Sequence, residues 1–222
     1  ANRATVGNGA ANTFTGDVTV TSLAGIGLQV GVATAAALNG IPDTALVTLG
    51  AGSTLAMSAT SETIGNLAGT GTVTTNSFAG TLSIGGKNVD ATFAGLLTEQ
   101  TGFALSIAKV GSGKLTLTNV ANAFTGNLTI TGGTLDATAL AANAAASSKM
   151  INIGWDGEGD MIVGGGAGSA LVKAHGIQLD ANNDSTAYAS TLTVSPNGSV
   201  EIGVGGLAGP SVNDAVILNG GS

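Results

Sequence analysis

The chain contains no cysteine and a single histidine, His175. Disulfide scaffolds, thiol nucleophiles and Cys-His zinc sites are excluded on that ground. Aromatic residues are 3% of the chain and proline occurs three times. Charged residues are 9% of the 222, where a soluble domain carries about 25%. Six are basic against thirteen acidic, a formal net charge of −7. Nucleic acid, which selects a basic footprint, is not an expected partner. Long apolar runs are missing too. The uncharged stretch from Val18 to Pro42 is interrupted by Thr19, Gly25, Gln29 and Asn39 among others, and a spanning helix needs about 20 predominantly apolar residues. Seven aromatics are too few for the two girdles of an outer-membrane barrel. No membrane insertion is expected. The opening ANRATVGNGA has no basic segment followed by an apolar run, so no signal peptide is expected within the sequence.

Glycine (37), alanine (36) and threonine (29) dominate instead. With 43% apolar residues the chain still has enough to bury in a core. Short runs alternate apolar and polar: Val18-Thr-Val20, Leu82-Ser-Ile84, Lys114-Leu-Thr-Leu-Thr118, Leu128-Thr-Ile130, Leu192-Thr-Val194 and Val200-Glu-Ile202. Period two with β-branched residues reads as strand with one buried face. Many runs open on Gly-x-apolar, at Gly52, Gly71, Gly80, Gly113, Gly133 and Gly198, where glycine is expected to supply a positive φ at a corner. Helix is expected only over Thr138 to Lys149 and over Gly31 to Leu38.

The chain also echoes itself. ANTFTGDVTVT at 11–21 aligns with ANAFTGNLTIT at 121–131, with seven of eleven positions identical. GAGSTL at 50–55 returns as GAGSAL at 166–171, and AGTLSI at 79–84 as ASTLTV at 189–194. The offsets of 110, 116 and 110 predict two β-repeat units, 1–110 and 111–222, continuous in one solenoid. A sandwich core rests on large inward residues from two sheets. Here the inward positions are Val, Leu, Ile and Ala among many glycines, which suits the narrow interior of stacked rungs. The expected fold is all-β, a parallel β-solenoid of irregular rungs, with two tandem β-sandwich domains as the alternative. Rungs of about 20–25 residues would give about ten in a rod roughly 50 Å long.

One segment carries more than composition. Phe93-Ala-Gly precedes Leu105-Ser-Ile-Ala-Lys-Val-Gly-Ser-Gly-Lys-Leu-Thr-Leu-Thr118 and Asn122-Ala-Phe-Thr-Gly-Asn-Leu-Thr-Ile-Thr-Gly-Gly-Thr-Leu135. The order is a Lys, Gly-x-Gly, alternating Leu/Thr, a short turn, an aromatic with Thr-Gly, and a Gly-Thr-Leu ending. Lys109, Gly111, Gly113, Leu115, Leu117, Asn122, Phe124, Gly126, Gly133, Thr134 and Leu135 hold those places. This segment resembles the passenger-associated repeat of bacterial autotransporter proteins. The resemblance implies a right-handed β-helix, surface-exposed or secreted, from a Gram-negative bacterium. Passengers of that family are usually long and followed by a membrane barrel, and no barrel pattern is read in these 222 residues.

Two acidic turns stand out. Asp156-Gly-Glu158-Gly-Asp160 and Asp180-Ala-Asn182-Asn-Asp184 place oxygen ligands at loop positions 1, 3 and 5, the spacing Ca²⁺ loops use. Neither continues to the Gly and distal Glu of an EF-hand. Calcium at these six residues is the one cofactor expectation, set against solvated acidic turns. Trp155 would either stack on a sugar ring or plug a corner, and His175, with no second His or Cys, reads as structural. No nucleophile triad or facing carboxylate pair is legible, so no enzyme is expected and no catalytic residue is assigned. The Thr pairs at 19/21, 72/74, 116/118, 129/131 and 191/193 would serve ice binding only if aligned in one flat array.

These features predict a non-enzymatic extracellular structural protein, a solenoid subunit of a surface fibre, coat or filament. The alternative is an adhesin or autotransporter passenger fragment, or a phage fibre segment, that binds a cell-surface glycan or protein. That role wants an outward aromatic patch, and aromatics are scarce. Self-association into a homopolymer follows from the phasing of the echo. At an offset of 110, Gly221-Ser222 falls on Gly111-Ser112, and the continuation there, Gly113 to Asn119 and then ANAFTG, is echoed by Arg3 to Asn8 and then ANTFTG. One copy's end would meet the next copy's start, and a heterologous contact that does not close makes a filament.

Overall fold

The computed structural model describes residues 2–6, 13–21, 26–30, 40–119, 121–139, 151–153, 159–179, 190–208 and 215–220. Among them, short strands form three sheets, and every strand pairing is parallel. Sheet A joins β1 (Asn2–Val6), β3 (Ile26–Val30), β5 (Thr54–Met57), β8 (Thr72–Thr75) and β11 (Leu96–Leu97). Sheet B joins β2 (Val18–Val20), β4 (Leu46–Leu49), β7 (Asn66–Gly69), β10 (Ala91–Phe93), β13 (Lys114–Leu117), β15 (Gly133–Ala137), β16 (Ile151–Ile153), β18 (Ala170–Leu179) and β20 (Gly198–Ala208). Sheet C joins β6 (Ser61–Ile64), β9 (Gly80–Ile84), β12 (Leu105–Lys109), β14 (Leu128–Ile130), β17 (Met161–Val163), β19 (Thr191–Val194) and β21 (Ala215–Leu218).

The chain visits A, C and B in turn: β5, β6 and β7 make one circuit, β8, β9 and β10 the next, and β11, β12 and β13 a third. This is the expected parallel β-solenoid. The sandwich alternative is antiparallel and does not survive these registers. No helix among the described residues is long and apolar enough to cross a membrane. Of the helix expected over 138–149 only Thr138 and Ala139 are described, and 31–38 lies outside the described residues.

Rung length departs from the expected 20–25 residues. The step is 18 at Thr54↔Thr72 and 24 at Ala91↔Leu115, then 33 at Leu128↔Met161 and 37 at Gly133↔Ala170. The ladders cross residue 110 without a break, because β12 pairs with β9 on one side and β14 on the other. The echoed segments divide among the faces. Both β9 and β19 lie in sheet C, but β2 is in sheet B while its echo β14 is in sheet C. The Thr pairs also scatter: Thr72 and Thr74 are on sheet A, Thr116 on sheet B, and Thr129, Thr191 and Thr193 on sheet C. No single flat threonine array results.

Sheet C shows most plainly why these residues stack. Its registers align Ile64, Ile84, Lys109, Ile130, Val163, Val194 and Leu218 in one inward column. The second column is Glu62, Leu82, Ile107, Leu128, Met161, Leu192 and Val216. Rungs lie about 4.8 Å apart, so a branched side chain of moderate size fills each step. Each fully buried Leu or Ile contributes about 2 kcal/mol. Sheet B accommodates its one large ring differently. Phe93 is fully buried, and the glycine that leaves room for its ring is Gly95, where a Cβ would lie 2.4 Å from Phe93 Cζ.

The Gly-x-apolar openings hold their glycines for two reasons, not one. Gly52 and Gly133 adopt positive φ, as expected. Gly71, Gly80, Gly113 and Gly198 do not; there the neighbouring rung is too close. A Cβ at Gly113 would lie 2.2 Å from the Val89 carbonyl oxygen, and one at Gly198 2.2 Å from that of Val163.

Candidate functional site

Lys109 ends β12 in an inward position and is fully buried. Its Nζ donates to the carbonyl oxygens of Val110 at 2.5 Å, Gly111 at 3.1 Å and Gly132 at 3.1 Å. These carbonyls belong to two successive corners, β12 to β13 and β14 to β15. An apolar residue in this column would leave them as buried acceptors without donors. Burial pushes the ammonium down to about 8, while nearby Asp90 and the carbonyl cage favour its charged form. All three protons are spent on backbone, so the group staples corners together and is no free nucleophile.

Short polar side chains repeat this stapling along the edges. Asp17 Oδ1 accepts from the Leu46 amide at 2.8 Å and from Lys87 Nζ at 2.6 Å. Asn88 Oδ1 accepts from Ser112 N at 2.8 Å, Asp90 Oδ1 from Lys114 N at 2.8 Å, and Asn127 Oδ1 from Asp160 N at 3.0 Å. Asp160 then accepts from Thr191 N at 3.0 Å and Thr191 Oγ1 at 2.6 Å. Each bond to a backbone amide reaches one rung further, and the Asp17–Lys87 pair joins residues 70 apart in sequence. Asp160 is the one described member of the expected calcium ligands, and it serves here as a rung-to-rung link. Asp156, Glu158, Asp180, Asn182 and Asp184 lie outside the described residues, as does Trp155. Among the described residues no group of three or more His, Asp or Glu is placed to hold a metal ion.

Two clefts open on the side. One of about 470 Å³ is lined by Thr98, Glu99, Phe103, Phe124 and Thr125 among others. Its only ionisable group is engaged: Glu99 Oε2 accepts from Leu105 N at 2.8 Å and Thr125 N at 2.9 Å, and Oε1 from Thr125 Oγ1 at 2.7 Å. The other, about 550 Å³, is lined by Gly111, Ser112, Gly132, Gly133, Ser169 and Leu171 with neighbouring residues, and has no ionisable lining. On the outer face of sheet B, Asp136, Lys173 and Glu201 follow one another in register, with Lys173 Nζ 2.8 Å from Glu201. His175 is half-buried on β18.

The corner cage is the structural centre of a longer pattern. From β12 to β15 the chain runs through Gly-x-Gly, the Leu/Thr strand β13, the Phe124 turn, β14 and the Gly-Thr-Leu opening of β15. Residues 107–137 match the model of the passenger-associated-transport-repeat family. The repeat is that of autotransporter passengers. All eleven positions that carry the resemblance, Lys109 through Leu135, fall within the matched span. In this fold the passenger repeat is a pair of consecutive C-to-B corners that share one ammonium. No curated protein and no solved structure matches the chain.

The buried end of sheet C holds a group that motif reading passed over. Glu62 is 2% exposed and heads an inward column. The alternation Ser61-Glu-Thr-Ile64 already puts Glu62 on the same face as Ile64. At the other end, among the described residues, β21 pairs with β19 alone, and Val216, Ile217 and Leu218 are 47%, 40% and 67% exposed.

Proposed function

We propose that this chain is a non-enzymatic segment of a secreted or surface-exposed passenger-type protein of a Gram-negative bacterium. It serves as a stalk, coat or filament component and extends head to tail by self-association. The observation that carries this reading is the passenger-repeat match over 107–137 within a stack of three parallel sheets. Leu192 and Val194 are 2% and 3% exposed, yet their column neighbours Val216 and Leu218 stand open. A further parallel rung, from a following stretch of chain or from a second copy, would bury both and pair the outer edge of β21. The side chains support a structural role as well. Lys109, Glu99, Asp17 and Asp160 spend their hydrogen-bonding capacity within the protein. Calcium at Asp156, Glu158, Asp160, Asp180, Asn182 and Asp184 belongs to this proposal.

The test is electron microscopy and light scattering on the 222-residue chain, with chelator and with calcium. Filaments whose mass grows with protein concentration are expected. A stable monomer at high concentration under every salt and calcium condition would reject the reading.

A further inference from the structure

We infer that residues 40–45 form a pH-set strap across the N-terminal end of sheet C, latched by Glu62. Among the described residues β6 is the first strand of that sheet and pairs with β9 on one side only. The strap lies over its other end. Gly40 N donates to Glu62 Oε2 at 3.0 Å and Ile41 N to Oε1 at 2.7 Å, so both carboxylate oxygens grip consecutive amides. Ile41 is fully buried. A tight turn follows, closed by Ala45 N to Pro42 O at 2.8 Å, and Ala45 O accepts from Gly65 N at 2.8 Å. The strap's backbone presses on two glycines. A Cβ at Gly65 would sit 2.3 Å from the Thr44 carbonyl carbon, and one at Gly86 2.2 Å from Asp43 O. Side chains there would hold the strap off.

The closed strap seals Glu62 from water, and among the described residues no cation stands opposite it. Asp43 on the strap is the charged group that acts on it, and its sign is unfavourable. β5, β7 and β9 bring no charged residue. Lys87, beyond Gly65, is committed to Asp17 at 2.6 Å. Burial outweighs the two amide bonds and, with Asp43, holds the Glu62 proton up to about 7, against an ordinary 4.5. Opening the strap returns the carboxyl to water and to its ordinary value. The closed form therefore binds the proton more tightly, and the open form gains as pH rises from about 4.5 to 7. A shift of that size changes the open-to-closed ratio by roughly 300-fold at full extent.

Amide hydrogen exchange followed by NMR reads this directly. After correction for intrinsic exchange, protection at Gly40 and Ile41 should fall by roughly 70-fold between pH 5 and pH 8. Leu82 and Ile107 should remain far better protected than Gly40 and Ile41 at every pH, which separates strap opening from general loosening. Glu62→Gln should abolish the pH trend at Gly40 and Ile41. An equal trend in Glu62→Gln, or no trend in the wild type, would overturn the inference. Should the Gln variant fail to fold, the carboxyl carbon of Glu62 in the wild-type chain decides. A titration midpoint near 7 supports the latch, and one near 4.5 contradicts it.

Discussion

Among the described residues, the two ends of sheet C share the same inward columns and differ in what lies over them. At the N-terminal end the strap lays Ile41 over the stack and two amides on Glu62, and both residues are out of contact with water. At the C-terminal end the same columns stop at Val216 and Leu218, which are largely exposed. Between the ends the inward columns look alike from rung to rung, although the step varies from 18 to 37 residues. What distinguishes one stretch from another is therefore how a column is terminated and which polar group interrupts it. Glu62 interrupts at an end, where a strap can reach it. Lys109 interrupts in the middle, where only corner carbonyls can.

The largest effect should come from trimming the two ends in the same way. Ile41→Ala removes a buried plug and should cost about 2–5 kcal/mol in urea denaturation. Leu218→Ala removes a side chain that is 67% exposed and should cost under about 1 kcal/mol in the isolated chain. Equal costs would erase the distinction between a capped and an open end.

The two polar interruptions should leave opposite marks on stability against pH. Glu62 is held up to about 7 when folded, so its contribution is complete below its ordinary 4.5 and is lost as pH rises through 7. Lys109 is pushed down to about 8 from 10.5, so the folded chain favours the neutral amine and its contribution grows as pH rises from 8 to 10.5. Stability should pass through a shallow minimum between pH 7 and 8, each limb amounting to about 3 kcal/mol. Denaturation midpoints from pH 5 to pH 10 check this. Glu62→Gln should flatten the acid limb alone and Lys109→Met the alkaline limb alone. A stability maximum near pH 7.5 would contradict both assignments.

Much of this architecture is legible in the sequence for a simple reason. Period-two alternation of small branched residues determines both the strand and its inward face, so Leu82-Ser-Ile84 and Leu192-Thr-Val194 are placed correctly without coordinates. The passenger repeat is legible because its corners demand particular residues, glycine where rungs touch and Lys109 where carbonyls converge. Rung length is less legible, since it is set by turns that swell after Ile130 and have no period. The echo at an offset of 110 is real in sequence, yet it reuses a turn-and-strand phrase on different faces, as β2 and β14 show. Glu62 and Lys109 illustrate the remaining gap. Alternation points both inward, but a charge inside a column makes sense only once the strap amides or the corner carbonyls are in view. Asp160 differs again: its spacing suggests a metal loop, while its partner Thr191 lies a whole rung away in sequence.

Sedimentation velocity over a wide concentration range, on the wild-type chain and on a Val216→Lys, Leu218→Lys double variant, tests the central claim most directly. Lysines at the uncovered column ends should block addition of a rung while leaving the folded rod intact, as circular dichroism would verify. The account predicts growing assemblies for the wild type and a single slow monomer for the variant at every concentration. Identical behaviour of the two chains, whether both assemble or neither does, would contradict it.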